Sequence, residues 1–168
     1  MSVGKTTLVN ALKKLDQFKD YNFATERSKY LSDLGIPLNT DSTLKGQTVF
    51  LAERCAELMN NNIITDRTIF DVIAFTMNAK SIGRYDKEIF ESYAKEFIRE
   101  YDYIFYISPD GIPIEDNGVR ETDEHYRDII DFTITALIKK YGHMANKVEV
   151  IKGSTEERIE QILNVIEF

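Results

Sequence analysis

Gly4, Lys5 and Thr6 stand together at the head of the chain, and "TLVNALKKL" follows them directly. A glycine lets backbone approach phosphate oxygens closely. A lysine beside it supplies positive charge to β- and γ-phosphates, and a threonine hydroxyl can ligate magnesium. A helix starting at this point adds free N–H groups and the positive end of its dipole. The three residues match the last positions of the phosphate-binding loop G-x-x-x-x-G-K-[ST]. Gly4, Lys5, Thr6 and Thr7 are therefore the expected nucleotide-binding group. Thr6 is an expected magnesium ligand and Lys5 an expected catalytic charge. The first glycine of the motif would lie two positions upstream of Met1. The expectation is a chain that opens inside the loop, with its first strand largely missing through a truncated start.

A second concentration of chemistry is "NNIITDRTIFDVIAF". A buried strand ends there in Thr65, Asp66 and Arg67, and in parallel α/β sheets ligands bind beyond the carboxyl ends of strands. Asp66 is placed to reach a magnesium shell or accept a proton. Arg67 is placed to hold an anionic substrate. The plainer alternative is an aspartate capping a helix beside a solvent-facing arginine. "ATERSKY" repeats the pattern after the preceding strand. Glu26 could deprotonate a substrate hydroxyl, and Arg27 would face the phosphate loop as a substrate contact. The alternative for Glu26 is a first-turn glutamate favoured by the helix dipole.

In "DGIPIEDNGVRETDEHYR" two arginines sit in an acidic, proline- and glycine-bearing segment. Arg120 has the position of a lid arginine that neutralises charge during phosphoryl transfer as the loop closes. Arg127 is a candidate substrate contact or a surface partner of Asp123 or Asp131. Gln47 and Asp71 are polar residues on otherwise apolar helices and are candidates for substrate hydrogen bonds. His125 and His143 have no second metal ligand at a useful spacing and read as surface residues.

These groups need elements to hold them. Apolar spacing predicts helices over Lys5 to about Phe18, "ERSKYLSDLG", Ser42 to Asn60 (capped by Asp41 or Ser42), Thr68 to Lys80, Asp86 to Glu100, a segment ending near Tyr141, and Thr155 to Ile166. In the fifth of these, Ile89, Tyr93 and Phe97 share a face and read as packing. Ile130, Ile134, Leu137 and Ile138 point inward on the sixth. "YNFAT", "NIIT", "YDYIFYIS" and "KVEVI" are the strands. Strands alternating with helices imply βαβ units: an α/β fold with a parallel sheet and helices on both faces.

The chain has 168 residues and suits a single domain over 1–168, with a lid at about 109–122. Its net charge of -7 argues against a nucleic-acid polymer as ligand. A lone cysteine, Cys55, allows no internal disulfide and reads as a small buried residue on a helix. No apolar run reaches membrane-spanning length, and no signal-peptide layout is present. A cytoplasmic setting without membrane partners is the expectation, with a homodimer left open.

"GKTTLVNAL", "TERSKYL", "LKGQTVFLAER", "IITDRTIFDVIAF", "YDYIFYIS" and "GVRETDEHYRDIID" occur in the order seen in P-loop kinases of nucleosides and nucleotides. The chain resembles, over nearly its whole length, the AAA-type ATPase/kinase-like domains that include nicotinamide riboside kinase domains and phage deoxynucleoside monophosphate kinases. The Asp66–Arg67 pair is similar to the "DR" of thymidylate kinases. The resemblance implies ATP-dependent phosphoryl transfer with magnesium, and a five-stranded parallel sheet with a lid. By it, Lys5 and Thr6 fall on the phosphate loop, Asp66 and Arg67 on the post-strand pair, and Arg120 on the lid. The leading expectation is a kinase with a nucleoside or nucleotide acceptor. The alternative is a P-loop ATPase or nucleotide-sensing module with no small-molecule acceptor. A catalytically dead relative is a third reading, against which Lys5, Thr6 and Asp66 speak.

Overall fold

The computed structural model describes residues 4–25, 28–108 and 124–167. Within them the elements run α1 (Lys5–Leu12), β1 (Asn22–Ala24), α2 (Ser28–Asp33), α3 (Leu44–Leu58), β2 (Ile63–Thr65), α4 (Ile69–Asn78), α5 (Arg84–Ala94), β3 (Tyr103–Ile107), α6 (Glu124–Tyr141), β4 (Lys147–Ile151) and α7 (Thr155–Leu163). All four strands lie where the sequence places them. The first helix is shorter than its periodicity suggests: it ends at Leu12, and a separate 3-10 turn covers Asp16–Phe18. The cap of α3 is Thr43, not Asp41 or Ser42. The Thr43 hydroxyl accepts from the Gly46 N–H at 3.1 Å.

β1 pairs with β2 in parallel, Asn22 opposite Ile63, and β3 pairs with β4 in parallel, Tyr103 opposite Lys147. Among the described residues no hydrogen-bonded ladder joins β2 to β3, so the strands form two half-sheets. A cavity of about 980 Å³ lies along the seam and is lined by both facing strands, Ile63–Thr65 and Tyr103–Ile107. Side chains alternate across the sheet as a pleat demands. Ile104 and Val148 join a cluster with α3, α4, α5 and α6. Phe23, Ile64, Phe105, Ile107 and Ile151 join a second cluster with Leu8 and Leu12 of α1 and Ile162 of α7. Helices therefore cover both faces.

α4 is the centre of the first layer and packs against α3, α5 and α6. Its Ile69, Ile73 and Ala74 have no exposed surface, which explains why "IFDVIAF" is apolar nearly all round. On α5 the inward face is not the one that Ile89 and Tyr93 suggest. Phe90, Ala94 and Ile98 are buried, while Ile89 is 51% and Tyr93 62% exposed. Both stripes have the same spacing, so period alone does not choose between them. After Ala94 the chain tightens into a 3-10 segment, Lys95–Glu100. That change of pitch brings Phe97 back against the core, where Tyr93 covers its ring edge-on at 5.3 Å. Cys55 is on a helix as expected, but half-buried, and burial raises its thiol pKa. His125 and His143 are exposed, as the sequence suggests. Among the described residues no helix is long and apolar enough to cross a membrane.

Glu91 ties α5 to α6. It accepts from Lys140 Nζ and from the Tyr141 hydroxyl, each at 2.8 Å. Burial pushes its pKa up, but the two hydrogen bonds and the lysine charge outweigh burial, so the carboxyl titrates below its ordinary range. A depressed carboxylate contributes stability above its unfolded-state pKa and loses it as pH falls through the folded one. Glu91→Gln should therefore cost up to about 1 kcal/mol at neutral pH, limited by the exposure of Lys140. Urea unfolding of the two chains should converge at about pH 2, beneath both carboxyl values.

Candidate functional site

Gly4 caps α1 with φ 74°, the left-handed region that a Cβ disfavours. A side chain there would also meet the Arg158 guanidinium, 3.3 Å from an added Cβ. Lys5 begins the helix and lines the seam cavity. Thr6 and Thr7 are exposed in the first turn. The Thr6 hydroxyl donates to Asp66 Oδ2 at 2.8 Å across sixty residues of chain. The start of α1 and the end of β2 thus converge on one point, and Asp66 there is only 3% exposed. Its other oxygen, Oδ1, is buried with no hydrogen-bond partner among the described residues.

Asp66 does not cap α4. The cap is Thr68, and Asp71 closes a reciprocal capping box with it, accepting from the Thr68 N–H at 2.9 Å. One oxygen of the Asp71 carboxylate is thereby engaged in starting the helix. Asp71 also lies on the cavity wall. Asp66 and Arg67 occupy the turn between strand and helix. Asp66 N–H donates to the Ala24 carbonyl at 2.9 Å, continuing the β1–β2 ladder by one bond. Arg67 then has φ 92°, a conformation in which a side chain costs of order 1–3 kcal/mol. The Thr65 hydroxyl steadies it by donating to the Arg67 carbonyl at 2.9 Å. The Arg67 guanidinium is half-buried and lies over the Phe75 ring, 5.4 Å from its centroid. Phe75 in turn lies 6.4 Å from the Tyr126 ring of α6.

Arg127 follows Tyr126 in the first turns of α6, with its side chain 13% exposed and its Nε 3.8 Å from Asp128. Asp131 is instead hydrogen-bonded by the Tyr106 hydroxyl of β3. Gln47 is buried in the first turns of α3, on the face that also carries Leu51 and Arg54. Glu26, Arg27, Arg120 and the lid at about 109–122 lie outside the described residues.

Sequence reasoning passed over two buried arginines. Arg54 is 5% exposed and hydrogen-bonds the main-chain carbonyl of Asp66. Arg158 of α7 is 9% exposed beside Gly4. A signal existed for both. Arg54 falls in the apolar row Gln47, Leu51, Arg54, Leu58, and Arg158 in the row that continues to Ile162. An arginine on an inward stripe must be paired, and that marks it as worth placing.

Parallel strands with helices on both faces, and a Gly-Lys-Thr helix start beside the carboxyl end of β2, define an α/β domain of the P-loop NTPase type. A family model described as an AAA domain matches residues 1–158, and the chain belongs to that family. No curated protein and no solved structure matches the chain. The coarse activity this class carries is nucleotide binding and hydrolysis.

Proposed function

We propose that the protein is an ATP-dependent kinase that transfers a phosphoryl group to a nucleoside or nucleotide. The observation that supports this most is the meeting of Thr6 and Asp66 at 2.8 Å, with the second Asp66 oxygen buried and unpartnered. That pair fits magnesium, which takes one or two protein oxygens and leaves its other positions to phosphate and water. Among the described residues there is no cluster of three or more His, Cys, Asp or Glu, so a larger all-protein cage is not offered there. Bound magnesium would supply charge neutralisation at the phosphate oxygens. Lys5 and the α1 N-terminus would hold the β- and γ-phosphates from the other side. Arg67, with its guanidinium kept over Phe75, would orient the acceptor's anionic or hydroxyl end. Glu26 is assigned to the acceptor hydroxyl, Arg27, Gln47 and Arg127 to acceptor contacts, and Arg120 to the lid. A cytoplasmic setting completes the reading, and the homodimer stays open.

The test is a product screen. The protein with ATP and magnesium is offered nucleosides, deoxynucleotides and nicotinamide riboside, and phosphorylated product is sought. Hydrolysis at one rate whatever acceptor is present would favour the ATPase or sensing module.

We further propose that a fifth, apolar strand running into Gly4 fills the seam. β2 and β3 both border it, and each buried backbone group without a partner costs about 1–3 kcal/mol. A chain carrying about ten further apolar residues ahead of Met1 should melt higher and bind ATP more tightly. Equal melting temperatures and equal ATP dissociation constants would sink this assignment.

A further inference from the structure

The turn that presents Asp66 is held from behind by a residue that does not line the seam cavity. Arg54 projects from the third turn of α3, buried. Its Nη1 donates to the Asp66 carbonyl at 3.3 Å, and its Nη2 to Glu57 Oε1 at 2.7 Å. The Asp66 N–H is already bonded to Ala24. Asp66 is thus gripped at both ends of its backbone, by β1 on one side and by α3 on the other. The next residue, Arg67, stands in the left-handed region at φ 92°. One residue beyond the α4 cap, the Ile69 N–H donates to the Tyr101 hydroxyl at 3.3 Å.

These bonds do different work. The ladder bond to Ala24 fixes where β2 ends. The Arg54 bond fixes the plane of the peptide between Asp66 and Arg67. That plane decides both the direction of the Asp66 side chain toward Thr6 and the backbone angle of Arg67. A guanidinium suits the task because it is planar and forks, so one group reaches a carbonyl and a carboxylate together. Glu57 fixes the fork and neutralises a charge that burial would otherwise penalise.

We propose that Arg54 is a positioning residue: by clamping the Asp66 carbonyl it aims the Asp66 carboxylate at the magnesium position and holds Arg67 in its strained conformation. The inference rests on the reading of Asp66 as a magnesium ligand.

Its test measures binding of a fluorescent ATP analogue as magnesium is titrated, together with hydrogen exchange followed by mass spectrometry. Arg54→Met keeps the aliphatic stem and removes both donors. It should raise the half-saturating magnesium concentration about 10- to 100-fold, the range seen when a metal ligand loses its supporting partner. Binding in the presence of EDTA should stay within about twofold of wild type. Amides across 63–70 should exchange at least tenfold faster, while those across 103–107 keep their rates. Arg54→Lys restores charge and one donor, so its magnesium requirement should fall between the two. It also stands in if the methionine variant does not fold, and a wild-type requirement in Arg54→Lys would then overturn the proposal. An unchanged magnesium requirement in Arg54→Met overturns it directly. Asp66→Asn separates the two levels. If that variant loses magnesium dependence and Arg54→Met does not, Arg54 positions nothing. If Asp66→Asn keeps wild-type magnesium dependence, the ligand reading and this inference fall together.

Discussion

Lys5→Ala should lower ATP turnover on the order of 10²–10³-fold, the loss typical of removing one group aimed at developing charge. The lysine is read as a phosphate contact because it is the first residue of α1, after the left-handed Gly4, and lines the cavity beside the Thr6–Asp66 pair. It is absent from the buried core, so its removal should shift stability by less than about 1 kcal/mol. Steady-state turnover and a thermal melt on the same preparation check both halves. Activity near wild type would show that the loop assignment is wrong. Lost activity with a large fall in melting temperature would mean that Lys5 acts on folding.

Phe70→Ala should be the most damaging single truncation in the fold. Phe70 is 1% exposed on α4, within the cluster that joins α3, α4, α5 and α6. Removing a buried phenyl ring costs about 3–5 kcal/mol, through lost transfer energy and the cavity left behind. A domain of this kind has only about 5–15 kcal/mol to lose. The Phe70 N–H also donates to the hydroxyl of the cap residue Thr68 at 3.2 Å, so a disturbed α4 would carry the Asp66–Arg67 turn with it. Phe132 is the control: it is 76% exposed on α6, and Phe132→Ala should change stability by about 0.5 kcal/mol or less. Denaturant midpoints measure both. Similar midpoints for the two variants would mean that α4 is not the centre of its layer.

Much of this was legible because local chemistry and fold agree. β4 is legible at its observed limits, since "KVEVI" has turn residues on both sides and no helical phase of its own. Thr6 and Asp66 could be singled out separately from their places at a helix start and a strand end. Their contact could not, because it spans sixty residues. The misreadings have particular causes. Reading Asp66 as the cap of α4 overlooks Thr68, which has Asp71 three residues after it, the spacing of a capping box. The α5 stripe Ile89–Tyr93 is as apolar as its neighbour Phe90–Ala94. The small Ala94 allows close packing, and that preference is tertiary. Arg54 was hidden because charge is usually read as surface, and only its row on α3 showed otherwise.

The seam between β2 and β3 also bears on how the molecule deforms. Within each half-sheet, strands are joined by ladders that fix register residue by residue, Phe23 to Ile64 and Phe105 to Glu149. Across the seam, the described residues are joined by packing, and the cluster with α1 and α7 includes side chains from both halves, Phe23 and Ile64 beside Phe105 and Ile151. Packed apolar surface grips by area and has no preferred register. Among the described residues no ladder opposes sliding of one half-sheet along the other, whereas moving β1 against β2 breaks every bond they share. The seam runs between Asp66 at the end of β2 and Tyr106 on β3, so the two walls of the site belong to different half-sheets, and a strand filling the seam would also fix one wall against the other.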